Sequence, residues 1–180
     1  MAWTQSLGFS DLPTIYNISL PVGPHMPNVR DDVLLVQTLL KLANCTSHGR
    51  RNGAAEASHS LKVDGWFGHQ TKRMIEAFEA RVREQHLLLN ADGVLEPSSN
   101  DGYNHKGIIY KIIHLNRLAK DATLPGKQYN QIPTAPETHP LLRQSLLIHS
   151  DISRFVIAPA VEQRAVRQEQ VEERALCAEL

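Results

Sequence analysis

"LKVDGWFGHQTKRMIEAF", residues 61–78, sets a tight Asp-Gly turn, two aromatics and a second glycine directly in front of an apolar helical pattern. Asp-Gly is a turn signal because glycine takes positive φ cheaply, while the aspartate carboxylate accepts from backbone amides two or three residues on. Asp64 and Gly65 therefore predict a rigid corner, and Gly68 a close backbone approach just before the helix. Thr71 falls in the first turn, where a hydroxyl can satisfy an orphan amide. With Phe67 pointing into a core, strand-like alternation sends Trp66 the other way, toward water or a ligand. An exposed indole is a platform for sugar faces or for another protein; packing of Trp66 against the N-terminal segment is the competing reading. Beyond the corner, Met74, Ile75, Phe78 and Val82 recur at helical spacing, and Lys72, Arg73, Glu76, Glu79 and Arg83 occupy the other face. Glu76, Glu79 and Glu84 read as a solvated surface.

Working outward, "DDVLLVQTLLKLAN" at 31–44 opens with two carboxylates, which favour a helix N-terminus, and continues with Val33, Val36, Leu40 and Ala43 on one stripe and Leu35, Leu39 and Leu42 beside it. Residues 45–60 are small and polar with two glycines and read as a loop. "IIYKIIHLNRLAK" at 108–120 gives a third helical pattern through Ile108, Ile112, Leu115 and Ala119. Between them, "ADGVLE" at 91–96 is a weak echo of "VDGWFG" at 63–68, with Glu96 where the later glycine would stand. The fold expected is mainly α: an extended arm over 1–27, kept from continuous helix by Pro21, Pro24 and Pro27; a three-helix domain over 28–121; a Pro-rich linker over 122–140; and a C-terminal extension over 141–180 ending in a helix that begins near Pro159. The stretch "LLRQSLLIHSDISRFVIA" at 141–158 is apolar enough to be buried, yet its period fits neither helix nor strand.

Composition narrows the function classes. The 180 residues carry 19 basic and 19 acidic side chains, so no positive field supplies the counterion release on which nucleic-acid binding rests. The two cysteines, Cys45 and Cys177, are far apart and are expected as free thiols. No segment has the basic lead and apolar run of a secretory signal, and none approaches a membrane span. The expectation is synthesis in the cytoplasm, no membrane insertion and, if the protein acts outside, export by a route that needs no cleaved signal.

The pattern "DDVLLVQTLLKLA", then "VDGWFGHQTKRMIEAFEARV", then "ADGVL" and a closing apolar helix resembles the three-helix peptidoglycan-binding domain attached to many cell-wall hydrolases. Val33, Val36, Gln37 and Leu40 match that family's first-helix pattern; Asp64, Gly65, Phe67, Gly68 and Thr71 match its Asp-Gly-x-Phe-Gly-x-x-Thr element. Met74, Ile75, Phe78 and Glu79 match the next segment loosely, Glu79 standing where the family has glutamine. The resemblance covers roughly residues 22–120, and the middle element is fairly specific because several spaced residues agree at once. It implies a peptidoglycan ligand held near Asp64, Trp66 and His69, with Gln37, Gly65, Phe67, Gly68 and Thr71 as the structural motif. The lead-in over 20–40 is also similar to the start of wall-targeting type VI secretion effectors and some phage lysins, which implies delivery to the periplasm or beyond and a secretion spike protein or effector as a further partner.

Catalysis is not expected. The histidines are scattered without an i,i+4 pair or an HExxH-like glutamate, so no zinc peptidase and no metal site are read. Cys45 follows a helix instead of preceding one, where the dipole disfavours a thiolate. The residues beyond 121 are too few, and too much linker and polar tail, for a second hydrolase core. The expected function is a non-catalytic wall-binding module without a cofactor; the alternatives are an adaptor that uses the same scaffold to bind a protein and, third, a small wall hydrolase.

Overall fold

The computed structural model describes residues 1–43, 61–85, 90–99, 101–104, 106–122 and 127–148. The chain is mainly helical. Helix α1 spans Arg30–Ala43, α2 His69–Gln85, α3 Lys111–Ala122 and the short α4 Lys127–Asn130, with a further helical stretch over 140–148. The three longer named helices lie where the apolar periodicity puts them.

Helix α1 is the centre. Asp32 to Gln37 are buried without a break, as are Leu39, Leu40 and Ala43, so α1 is covered on nearly every side and shows more than one stripe to the core. It packs on α3 most extensively and on α2 as well. From α2 come Met74, Ile75, Phe78 and Val82; from α3 come Ile112, Ile113, Leu115 and Ala119. Helix α3 starts at Lys111, three residues after Ile108, because Ile109 is already paired with Tyr103 in an isolated antiparallel bridge.

The segment expected as an extended arm over 1–27 carries a β-hairpin. Strand β1, Trp3–Ser6, pairs antiparallel with β2, Thr14–Asn17, in the register Trp3 with Asn17 and Ser6 with Thr14. Ala2, Leu7, Leu12, Ile15, Tyr16, Ile18 and Val22 all enter the same core cluster as the helices. Two buried asparagines fix the hairpin in place. Asn116 on α3 accepts from the Tyr16 amide at 2.9 Å and donates to the Tyr16 carbonyl at 3.0 Å. Asn17 accepts from the Ser98 amide at 3.0 Å and donates to the Ser98 carbonyl at 2.9 Å. Buried amides matched in this way satisfy strand-end groups that no third strand covers.

The linker expected over 122–140 differs too. Its described residues 127–140 bury Tyr129 and Ile132, and Tyr129 meets Tyr16 edge-on with ring centroids 5.0 Å apart. Residues 140–148, whose period looked ambiguous, are helical; Pro140 occupies the first helical position, where its missing amide costs nothing. Leu142 and Leu146 are buried one turn apart, and the Ser145 hydroxyl donates to Asp31 on α1 at 2.8 Å. Residues 1–146 accordingly form one compact unit instead of a domain flanked by arm and linker. The loop expected over 45–60, both cysteines and the terminal helix lie outside the described residues.

Candidate functional site

The Asp64 corner is organised by one side chain. Gln37, buried on α1, accepts from the backbone amides of Asp64 at 3.0 Å and Gly65 at 2.9 Å. Its amide nitrogen donates to Asp64 Oδ1 at 3.2 Å, to the Trp66 carbonyl at 3.0 Å and to Thr71 Oγ1 at 3.1 Å. A glutamine supplies both an acceptor oxygen and donor hydrogens, which is why this position needs the amide and not a carboxylate. Asp64 Oδ1 also accepts from the Trp66 amide at 3.0 Å, the Asx turn expected of Asp-Gly. Burial opposes ionisation of Asp64, but bonds from the Trp66 amide and Gln37 and the Lys62 charge outweigh it and hold the carboxyl below the usual range.

Gly65 is required twice: its φ is +78°, and a Cβ there would stand 2.6 Å from Arg30 Cγ. Gly68 departs from the expected role, since a Cβ built on it meets nothing within 4 Å. Its carbonyl accepts from the Lys72 amide at 3.0 Å, making Gly68 the cap that immediately precedes α2. Thr71 differs as well. Its hydroxyl is buried against Gln37, so it ties helix to helix where an orphan amide had been expected as its partner.

The aromatics divide as alternation requires. Phe67 packs partly buried against the core, and Trp66 is 70% exposed. The Arg30 guanidinium lies over the indole, 5.9 Å from the ring centroid. Asp64 and Trp66 are thus brought together on one corner. His69, the first residue of α2, is exposed, and among the described residues its imidazole makes no hydrogen bond or ion pair.

The weak echo at Asp92 is a structural repeat. The Val94 amide donates to Asp92 Oδ1 at 2.9 Å, and Gly93 has φ +73°. Glu79 on α2 takes the place Gln37 has on α1, its carboxylate accepting from the Gly93 amide at 3.0 and 3.1 Å. Glu79 was expected on the solvated face with Glu76 and Glu84, and instead its side chain is 2% exposed. The physical reason is a counter-charge from the third helix: Lys111 Nζ reaches Glu79 at 2.7 Å and also bonds Asp92. A carboxylate cannot donate, so the ammonium supplies the hydrogens that the Gln37 amide supplies at the first corner. Leu95, in the place of the partly buried Phe67, is fully buried, and Val94 replaces the indole, so the second corner has the frame without the platform.

A third corner had no counterpart in the sequence reading. The Tyr103 amide donates to Asp101 Oδ1 at 3.1 Å, Gly102 has φ +79°, and Tyr103 is 39% exposed. Phe9 meets the Tyr103 ring edge-on, with Arg117 over Phe9 at 4.8 Å. The signal was present as "DGY", the same dipeptide plus aromatic as "DGW".

One groove of about 230 Å³ borders the segment leading into the first corner, lined by Thr38, Leu42, Val63, Ile132 and Thr138 among others. Among the described residues no group of three or more His, Cys, Asp or Glu side chains could hold a metal, and no helix is long and apolar enough to cross a membrane. No family model, curated protein or solved structure matches the chain.

Proposed function

We propose that this protein is a non-catalytic module that binds peptidoglycan through the Asp64–Trp66 corner, and that α1, α2 and α3 correspond to the three helices of the peptidoglycan-binding domain it resembles. The observation that carries this reading is the exposed indole of Trp66 on a corner fixed by Gln37. An indole left 70% exposed offers a flat face that suits the axial hydrogens of a pyranose ring. Support for the domain correspondence comes from Gln37 and Glu79, which sit on successive helices and each accept from the glycine amide of an Asp-Gly turn. Under this reading His69 lies beside the ligand, and delivery follows the signal-free route of type VI or phage lysis proteins.

Sedimentation with purified, insoluble sacculi tests it. The parent protein is expected in the pellet and Trp66→Ala in the supernatant, with the unfolding free energy of the variant lower by less than about 1 kcal/mol, since the indole is 70% exposed and lies under the Arg30 guanidinium. A parent protein that stays in the supernatant rejects the reading.

An adaptor role is the second reading, favoured by the groove beside α1. Its Leu42, Val63, Ile132 and Ala135 lining is chemically suited to an apolar side chain of a partner protein, such as a secretion spike or an effector. Co-purification of one stoichiometric partner, together with no sedimentation on sacculi, is the result that selects it.

A further inference from the structure

Arg30 is hard to explain as a folding residue. It is the first residue of α1, where the helix dipole disfavours a cation. The two carboxylates that follow it are turned to other partners: Asp31 accepts from Ser145, and Asp32 accepts from the Ser19 and Leu20 amides at 3.1 Å. Among the described residues no carboxylate lies within ion-pair range of the Arg30 guanidinium, and it donates no hydrogen bond. Nor is it left to wave in solvent. Its stem lies against Gly65, where the missing Cβ makes room for Arg30 Cγ, and the guanidinium is carried over the indole. A planar cation placed over one ring face leaves the opposite face for an apolar ring, and offers five N–H donors at the rim of that platform.

We propose that Arg30 and Trp66 form one composite site in which Trp66 stacks on a sugar ring and Arg30 takes a carboxylate of the same wall ligand, making Arg30 the residue that selects acidic over neutral saccharide. This rests on the wall-binding reading above and names the chemistry of that site. Guanidinium meets carboxylate in a bidentate pair that a neutral glycan cannot offer, so the preference is built into the corner. Two sources carry that group in a wall polymer, the stem peptide and, on sugars that carry no peptide, the lactyl ether, and the shared chemistry is what Arg30 reads.

Sedimentation on four preparations decides the matter: native sacculi, sacculi with carboxylates converted to amides, sacculi stripped of stem peptides, and insoluble chitin as a neutral glycan. The parent is expected to bind native sacculi about tenfold more tightly than the amidated form or chitin, and Arg30→Gln to lose that preference while keeping its chitin affinity. Arg30→Lys should fall between them, and Arg83→Gln, an equal charge change at the far end of α2, should match the parent. Because stripping a stem peptide frees the lactyl carboxylate it was bonded to, retained binding shows that the sugar's own carboxylate suffices for Arg30, and lost binding shows that the peptide's is required. Equal affinity for native and amidated sacculi overturns the proposal and leaves wall binding standing, as does an Arg30→Gln protein, folded by circular dichroism, that still prefers native sacculi. A parent that pellets with none of the four removes the wall-binding reading and this site with it.

Discussion

At the scale of single residues, the first corner shows which parts of a motif carry load and which only accompany it. Gly65 and Gly68 look alike in sequence, three positions apart, and are unlike in structure. Gly65→Ala must hold a Cβ at φ +78° and at 2.6 Å from Arg30 Cγ, which is expected to cost roughly 1–3 kcal/mol and to dislodge Arg30 from the indole. Gly68→Ala adds a methyl to open space and gives up only a favourable helix-start residue, roughly 0.5–1 kcal/mol. Urea unfolding of the two variants checks the order; a Gly68 variant as unstable as the Gly65 one would show that the second glycine has a packing role after all. The outward indole was legible because alternation between neighbouring residues is a backbone property. The partner of that indole was not, since Arg30 is 36 positions away in "NVRDD" and nothing local points from one to the other.

At the scale of elements, the Asp-Gly turns at Asp64 and Asp92 are each tied to the helix before them by one polar side chain, and α2 and α3 are tied to each other by the second of these. The Glu79 carboxylate has the Gly93 amide and Lys111 as its partners, so Lys111→Met strands a charge whose side chain is 2% exposed. The expected loss is about 3–5 kcal/mol. Glu79→Gln in the Lys111→Met background should recover most of it, because a neutral amide still accepts from Gly93 and no buried charge remains. Thermal unfolding of the single and double variants measures the recovery; a double variant no better than Lys111→Met would mean that the Glu79 charge is not what makes the single change costly. Here the sequence misled. Glu79 falls among Glu76, Arg83 and Glu84 on a strongly charged helix, and charge alone marks a wet surface unless a cation from a distant helix is known to meet it. The helices themselves were readable, since apolar spacing over three turns leaves little choice. The hairpin was not read: its strands are four residues each, and the Gly8–Pro13 turn residues between them were the only local sign.

For the whole molecule, carboxylates on separate elements share one response to acid. A hydrogen bond from Arg117 holds Asp11 below its usual value, and bonds from Ser99 and the Tyr103 amide do the same for Asp101. At Asp92 burial pulls the other way, but Lys111 and the Val94 amide win; Asp64 is also lowered. Each folded-state pKa is below the unfolded one, so the stabilisation is complete above the ordinary aspartate value and disappears as the pH falls through the lowered ones. The urea midpoint should therefore be flat from neutrality to about pH 5 and fall steeply below about pH 4. Asp64→Asn should shallow that fall; a midpoint that climbs on acidification would contradict the placement of these groups. Burial raises the Tyr16 and Tyr129 hydroxyls, so the corresponding loss at high pH begins once the unfolded tyrosines ionise, at about pH 10.

The hairpin's fastening has a consequence for how the polypeptide is made. Tyr16 is bonded to Asn116 across 100 positions and Asn17 to Ser98 across 81. A nascent chain leaving the ribosome N-terminus first must keep Leu7, Leu12, Ile15 and Ile18 unsheltered until those asparagine and serine positions have emerged. Closure of such distant pairs is slow, so the hairpin, made well before its partners, is among the last parts to settle and is the natural target for a chaperone during synthesis.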